Sequence, residues 1–278
     1  MKKLSILRKL LKSLLYIFRS NIVKITNIKD NNYLPINPVY SDVYLNSFPR
    51  SGNTYLSFLI TNINLIKSKS DLSVNFFNIH QFVPDIDSGR DIGKNLLPFP
   101  NFRIIKSHAK FHKDYKFVIY ILRNPFDVML SYYSFHKNLN NFNDSFSKFI
   151  RSDLYGIKNW VSHVNSWTNN LNAEKSFILI KYEDLVEDPV KELSILYEQL
   201  GLNISIDIIE KAVELSSKTN LKKLEKQLNY GDRIGLENFK VVNSKNDKEQ
   251  ILMKKEDKEF IKEYSINILR KFGYSENL

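Results

Sequence analysis

The stretch Ser47-Phe-Pro-Arg-Ser-Gly-Asn-Thr-Tyr-Leu56 joins two apolar runs, Val43-Tyr-Leu-Asn-Ser-Phe48 before it and Leu56-Ser-Phe-Leu-Ile-Thr-Asn-Ile63 after it. The first run has the length of a short buried strand and the second the spacing of a helix. The turn between them holds a proline, a glycine, two hydroxyls and one cation, Arg50. A strand-to-helix turn of this composition aims several backbone N–H groups at one point, and the helix dipole adds positive potential there. A phosphate cradle is therefore expected. The Gly-x-x-x-x-Gly-Lys-Ser/Thr loop of ordinary nucleoside triphosphatases is missing, which argues against that class.

Three more apolar runs end in polar residues. Arg103-Ile-Ile-Lys-Ser-His108 predicts a second strand finishing in Lys106 and His108. Lys116-Phe-Val-Ile-Tyr-Ile-Leu122 predicts a third, followed by Arg123-Asn-Pro-Phe-Asp127, where Asn124 caps a helix begun by Pro125. Ser176-Phe-Ile-Leu-Ile-Lys181 predicts a fourth, leading to Tyr182-Glu-Asp-Leu185. Helical spacing recurs around Phe142–Ile150 and from Ile157 to Leu171, then at roughly 188–200, 205–215, 217–228 and 255–271. Strands alternating with helices predict an α/β fold: three layers, a mostly parallel central sheet flanked by helices, and a P-loop-like nucleotide site. Residues 67–98 are mixed and polar, and predict an irregular insertion facing substrate. A loop is expected around Gly231 and Gly235. Ligands of open parallel sheets bind beyond the carboxyl ends of the strands. Four such ends carrying Arg50 to Thr54, Lys106 with His108, Arg123 and Tyr182 predict a pocket for a ligand with more than one anionic group.

At 278 residues, 43% hydrophobic and 26% charged, the chain can bury a full core and is not of disordered composition. The absence of cysteine excludes disulfides and thiolate metal sites and is compatible with a reducing, cytoplasmic setting. A net charge of +11 favours an anionic partner, but lysines are spread along the chain and no nucleic-acid-binding signature is present. Residues 1–19 form a basic amphipathic pattern, with Leu4, Leu7, Leu11, Leu14 and Phe18 on one stripe. Cations break every apolar run, so this segment is expected to pack on the domain or lie on anionic lipid, not to span a bilayer. The expected division is residues 1–41 as this helix and a linker, and 42–278 as one domain.

Taken together, these motifs resemble the sulfotransferases that use 3′-phosphoadenosine-5′-phosphosulfate (PAPS). Phe48-Pro-Arg-Ser-Gly-Asn-Thr-Tyr-Leu56 is similar to that family's sulfate-side loop, Lys106-Ser-His108 to its Lys-Thr-His element, and Tyr120 to Phe135 to its 3′-phosphate motif. Gly156 to Trp167 and Tyr182-Glu-Asp-Leu-Val-Glu-Asp-Pro189 match in order and spacing, and the likeness runs from about residue 42 to 272. It implies transfer of a sulfuryl group from PAPS, without a metal, to a hydroxyl or amine of a small-molecule or carbohydrate acceptor.

The resemblance also implies roles. His108 is the general base, with Lys106 bridging the sulfuryl oxygens. Arg50 and the N–H groups of Ser51, Gly52, Asn53 and Thr54 hold the 5′-phosphate. Arg123 and Ser131 bind the 3′-phosphate, Tyr55 and Tyr182 contact adenine, and Ser216 lies near the base. These types suit an in-line transfer through a loose transition state, which needs positioning, charge stabilisation and a base that titrates near working pH. Among the other histidines, His163 is expected to be a structural hydrogen-bonder. Several positions depart from the family: Arg50 stands where lysine is usual, Tyr55 where tryptophan is usual, and Lys218 where phenylalanine is preferred. The stretch Phe239-Lys-Val-Val-Asn-Ser-Lys-Asn-Asp-Lys248 replaces an Arg-Lys-Gly loop, leaving Arg233, Lys245, Lys248, Asn243 and Asn246 as candidates for completing the 3′-phosphate clamp. A phosphotransferase using the same loop and a non-catalytic nucleotide-binding relative are the alternatives.

Overall fold

The structure, a computed structural model, describes residues 40–88, 103–139, 141–170, 176–233, 241, 251 and 253–275. The basic segment 1–19, residues 89–98 of the insertion and most of the late 3′-phosphate stretch lie outside them. Four strands, β1 (Val43–Ser47), β2 (Ile104–Ser107), β3 (Phe117–Leu122) and β4 (Ser176–Lys181), form one parallel sheet in the order β2-β1-β3-β4. Register runs Val43 to Ile104 on one side of β1 and Val43 to Phe117 on the other.

Side chains along β1 and β3 alternate between two cores, so strands buried on both faces read as unbroken apolar runs. On one face Val43, Leu45, Ile119 and Ile121 pack against α1 (Asn53–Lys67). The same core takes in α7 (Pro189–Gln199) and α8 (Ile206–Leu215) through Leu193, Leu196, Ile209 and Ala212. On the other face Tyr44, Val118, Tyr120 and Leu122 meet α3 (Pro125–Asn138), α5 (Ile157–Thr168) and α11 (Lys255–Lys271). Trp160 and Trp167 are fully buried in that second layer. The predicted three-layer α/β architecture is therefore present. Among the described residues, no helix is long and apolar enough to cross a membrane.

The predicted starts hold because their caps do. The Asn124 side chain accepts the Phe126 N–H ahead of α3, and Asp188 accepts the Lys191 N–H ahead of α7. The helix expected at Phe142–Ile150 is shorter, α4 (Phe146–Arg151), because Ser145 caps it. Two expectations need correction. The described part of the insertion contains a helical turn, α2 (Ile79–Phe82), and then a stretch that pairs with β2: the Lys106 N–H donates to Pro84 C=O (2.8 Å) and the Ile86 N–H to Lys106 C=O (3.1 Å). Gly231 lies not in a loop but in a short helix, α10 (Tyr230–Arg233), anchored by Tyr230, whose ring packs on Phe76 and Phe77. Between the remaining strands and helices run α6 (Tyr182–Glu187) and α9 (Lys218–Gln227).

The starts of β1 and β2 are tied by charge. Asp42, buried ahead of β1, accepts from Arg103 Nε at 2.6 Å and Nη2 at 2.9 Å, beside the backbone bond from Val43 N–H to Arg103 C=O. Removing one partner of a shielded pair strands the other charge. Arg103→Ala is expected to lower stability by about 2 kcal/mol, less than for a fully buried pair because the guanidinium keeps some water. Adding Asp42→Asn should recover part of the loss. Urea denaturation at constant m-value checks both.

Candidate active site

The loop from Phe48 to Gly52 passes directly beyond the carboxyl end of β1, one of the two strands with a neighbour on each side. Arg50 takes φ +68° and Gly52 φ +119°, left-handed values that cost a side-chain-bearing residue energy and are held here by the surrounding loop. The Ser51 N–H closes the turn on Phe48 C=O at 3.3 Å. No side chain caps α1 and its first turn holds no acid, so the N–H groups of Asn53, Thr54 and Tyr55 lead the positive end of the helix toward the loop. The Asn53 side chain points back into the sheet, where its Nδ2 donates to Leu45 C=O and Ser107 C=O and clamps the ends of β1 and β2. A Cβ at Gly52 would collide with Tyr182 Cδ2, so this position must be glycine for the Tyr182 ring to lie against the loop.

Lys106 sits near the end of β2 and His108 just past it. His108 Nδ1 is 2.7 Å from Ser47 C=O, which can only accept. Nδ1 therefore carries the proton and Nε2 keeps its lone pair, the tautomer a base needs. His163 behaves as predicted: its Nε2 donates to His108 C=O (3.1 Å) and its Nδ1 meets the Tyr120 hydroxyl (2.9 Å), deep in the second core. Burial first, and then the Lys106 charge, bring the His108 imidazole down to about 4, which corrects the expectation of a base titrating near working pH: burial penalises the imidazolium, so the ring is neutral and a weaker base than an exposed histidine.

Two carboxylates beside this pair went unread in the sequence. Lys106 Nζ is 2.9 Å from Asp85 Oδ2, and the His108 N–H donates to Asp87 Oδ2 at 2.6 Å. Burial pushes the Asp85 carboxyl up, but Lys106 and His80 overcome it and hold it well below the usual carboxylate range. Burial, reinforced by Asp85, pushes Asp87 up. The signal was present: Pro84-Asp-Ile-Asp87 alternates polar and apolar residues after a proline, the pattern of an edge strand.

At the other end of the loop, Arg50 Nε donates to Ser131 Oγ and Nη2 to Val241 C=O, both at 3.2 Å, with the guanidinium over the Phe135 ring. Arg50, expected at a 5′-phosphate, thus reaches toward Ser131 on α3. Arg123 Nη1 donates to Arg50 C=O (2.9 Å), and its guanidinium lies 4.2 Å from the centre of the Tyr182 ring. Burial, then repulsion from Arg123, bring Arg50 down to about 10. Glu225 on α9 accepts the Val241 N–H, so Val241 is held from both sides. Tyr55 neighbours Tyr182, and burial together with that phenol pushes it up to about 12. Ser216 stands apart from this group: it is fully buried and its Oγ accepts from Asn62 Nδ2 at 2.9 Å. The Arg233 side chain, Asn243, Lys245, Asn246 and Lys248 lie outside the described residues.

A glycine-containing loop at a helix N-terminus, one buried and one half-buried guanidinium group and a lysine–histidine pair at the strand tips define an α/β protein with a P-loop-like anion site. The family comparison makes this specific. The sulfotransferase domain profile matches residues 40–272, and the chain belongs to the sulfotransferase family. Sulfotransferase 4A1 of Mus musculus is 30% identical over 197 residues, 65% of this chain and 66% of that protein, so the match spans about two thirds of such relatives. Two solved structures share the fold. Retinol dehydratase with androsterone and the inactive cofactor PAP has TM-score 0.62 at 16% identity, covering 87% of this chain and 85% of the other. Mouse sulfotransferase SULT7A1 with PAP has TM-score 0.59 at 22% identity, covering 84% and 89%.

The His108 environment has a measurable sign. Its folded value, about 4, lies below the ordinary 6.5, so between these values the unfolded chain binds a proton that the folded chain refuses. The contribution of His108 to stability is therefore intact above about pH 6.5 and declines as pH falls toward about 4. NMR of the ligand-free protein should find the His108 ring neutral at pH 6. A midpoint near 6.5 would contradict the burial described.

Proposed function

We propose that this chain transfers a sulfuryl group from PAPS to a hydroxyl or amine of a small molecule, sugars included. The observation that carries the proposal is the His108 tautomer: Ser47 C=O fixes the proton on Nδ1 and leaves Nε2 as the basic atom, two residues from Lys106 and beside the anion loop. The cofactor named for both structural neighbours, PAP, supports the donor, and the androsterone bound by one of them supports a small-molecule acceptor.

The residues present suit such a donor. The leading N–H groups of α1 would hold its 5′-phosphate, Arg123 and Ser131 its 3′-phosphate, and the Tyr55–Tyr182 pair its adenine. The donor supplies an activated sulfuryl group whose departure leaves a phosphate carrying new negative charge. His108 Nε2 takes the acceptor proton, and Lys106, on the same sheet edge, balances charge as it develops. Arg50 contributes electrostatically, as a guanidinium that does not give up its proton. The Ser216 hydroxyl, which accepts from Asn62 Nδ2, would keep its own O–H to donate. Residues 42–278 form the catalytic domain in this reading, working in the cytoplasm, and residues 1–19 would make any contact with a membrane.

Transfer of radiolabelled sulfate from PAPS to a panel of alcohols, phenols and amines tests the proposal. His108→Ala should lower transfer by at least about 100-fold while leaving adenosine 3′,5′-bisphosphate affinity within about twofold. Wild-type transfer by that variant would remove His108 as the base. Absence of transfer by the wild-type chain across the panel, with the bisphosphate still bound, would favour a non-catalytic nucleotide-binding relative.

A further inference from the structure

The stretch Pro84–Asp87 lies along the outer edge of β2, and its pairing sets Asp85 opposite Lys106. Partners in a parallel ladder project to the same face, so the two side chains meet without any turn of the backbone. Their exposures are 6% and 15%, which leaves the 2.9 Å contact largely shielded from water. The two partners are not equally mobile. Asp85 Oδ1 accepts the N–H groups of Asp87 (3.1 Å) and Ser88 (3.3 Å), an Asx turn that fixes the carboxylate plane. Lys106 swings on a flexible four-carbon stem. The carboxylate is the fixed half of the pair and the ammonium the movable half.

We propose that Asp85 is a positioning residue for the transfer lysine, holding the Lys106 ammonium against the β2 edge so that a bound nucleotide engages Lys106 only by drawing it off that carboxylate. The inference rests on the sulfotransferase reading of the same site. His80 Nδ1, 3.9 Å from Asp85 Oδ2, remains beside the carboxylate when the lysine leaves. Asp87, the other carboxyl in the cluster, is tied to the His108 N–H and feels the ammonium only through space, while Asp85 holds the direct 2.9 Å contact. Once transfer has removed the sulfuryl group, Asp85 reclaims the lysine, and the bisphosphate product loses one of its attractions to the site. Asp85 thus lowers affinity for the product and assists its release.

Calorimetry with adenosine 3′,5′-bisphosphate on four proteins tests this: wild type, Asp85→Asn, Lys106→Met and the double variant. Asn keeps an oxygen for the Asp87 and Ser88 N–H groups, and Asp85→Ser serves as a second neutral variant should Asn fold poorly. Asp85→Asn should bind the bisphosphate about tenfold more tightly, and steady-state kinetics should show KM for PAPS and kcat falling together as release slows. In the Lys106→Met background the same change should alter affinity by less than about twofold. Unchanged affinity in Asp85→Asn, or a gain that persists without Lys106, would overturn the proposal. A wild-type protein that binds no bisphosphate would instead remove the nucleotide reading, and this proposal with it.

Discussion

A central strand buried on both faces delivers carbonyl oxygens to the end of the sheet, and buried carbonyls require donors. Here the site residues are those donors. Leu45 C=O and Ser107 C=O share the amide of Asn53, Ser47 C=O takes the His108 ring, and Arg50 C=O takes Arg123. The hydrogen bonds that complete the backbone also aim the candidate catalytic groups. Fold and site are therefore one construction: a shift in the β1 register would misplace the base, the loop and the second guanidinium together.

Electrostatics divides the site in two. On the α3 side, Arg50 and Arg123 crowd each other in a buried region, with Glu225 engaged by a backbone N–H. On the β2 edge, Lys106 faces a carboxylate and His108 stays neutral. The first half sets two guanidinium groups against Glu225 and against Asp127, 3.8 Å from Arg123, so a bound phosphate would compete with carboxylates already in place. The second is internally balanced, which suits a region where charge must move during reaction and not merely be bound.

Most of this architecture was legible from sequence because the strongest signals were local. Four apolar runs gave β1 to β4, and Asn124-Pro125 and Asp188-Pro189 gave helix starts that their capping bonds preserve. Lys106, His108 and Arg123 stand at the ends of β2 and β3, so reading strand tips placed them along one edge of the sheet, whereas Ser131, well inside α3, came only from the family resemblance. What escaped depends on pairing between distant segments. Asp85 and Asp87 lie more than twenty positions before their partners, in a polar stretch whose role emerges only when it docks beside β2. The orientation of Arg50 was also hidden, because it follows from a left-handed backbone at a residue other than glycine. Ser216 shows the opposite limit: its position along the chain suggested the base pocket, while its surroundings gave it to Asn62.

The close approach of Gly52 to Tyr182 links two points far apart in the chain into a single surface. Tyr182 carries Arg123 on its ring, so the hydrogen atom at position 52 sets the height at which that guanidinium rests. Clearing space at position 182 would not free position 52, because at φ +119° any side chain there is strained whatever room it is given. The width of the aromatic slot can therefore be changed only from the Tyr182 side, with glycine kept as the fixed wall.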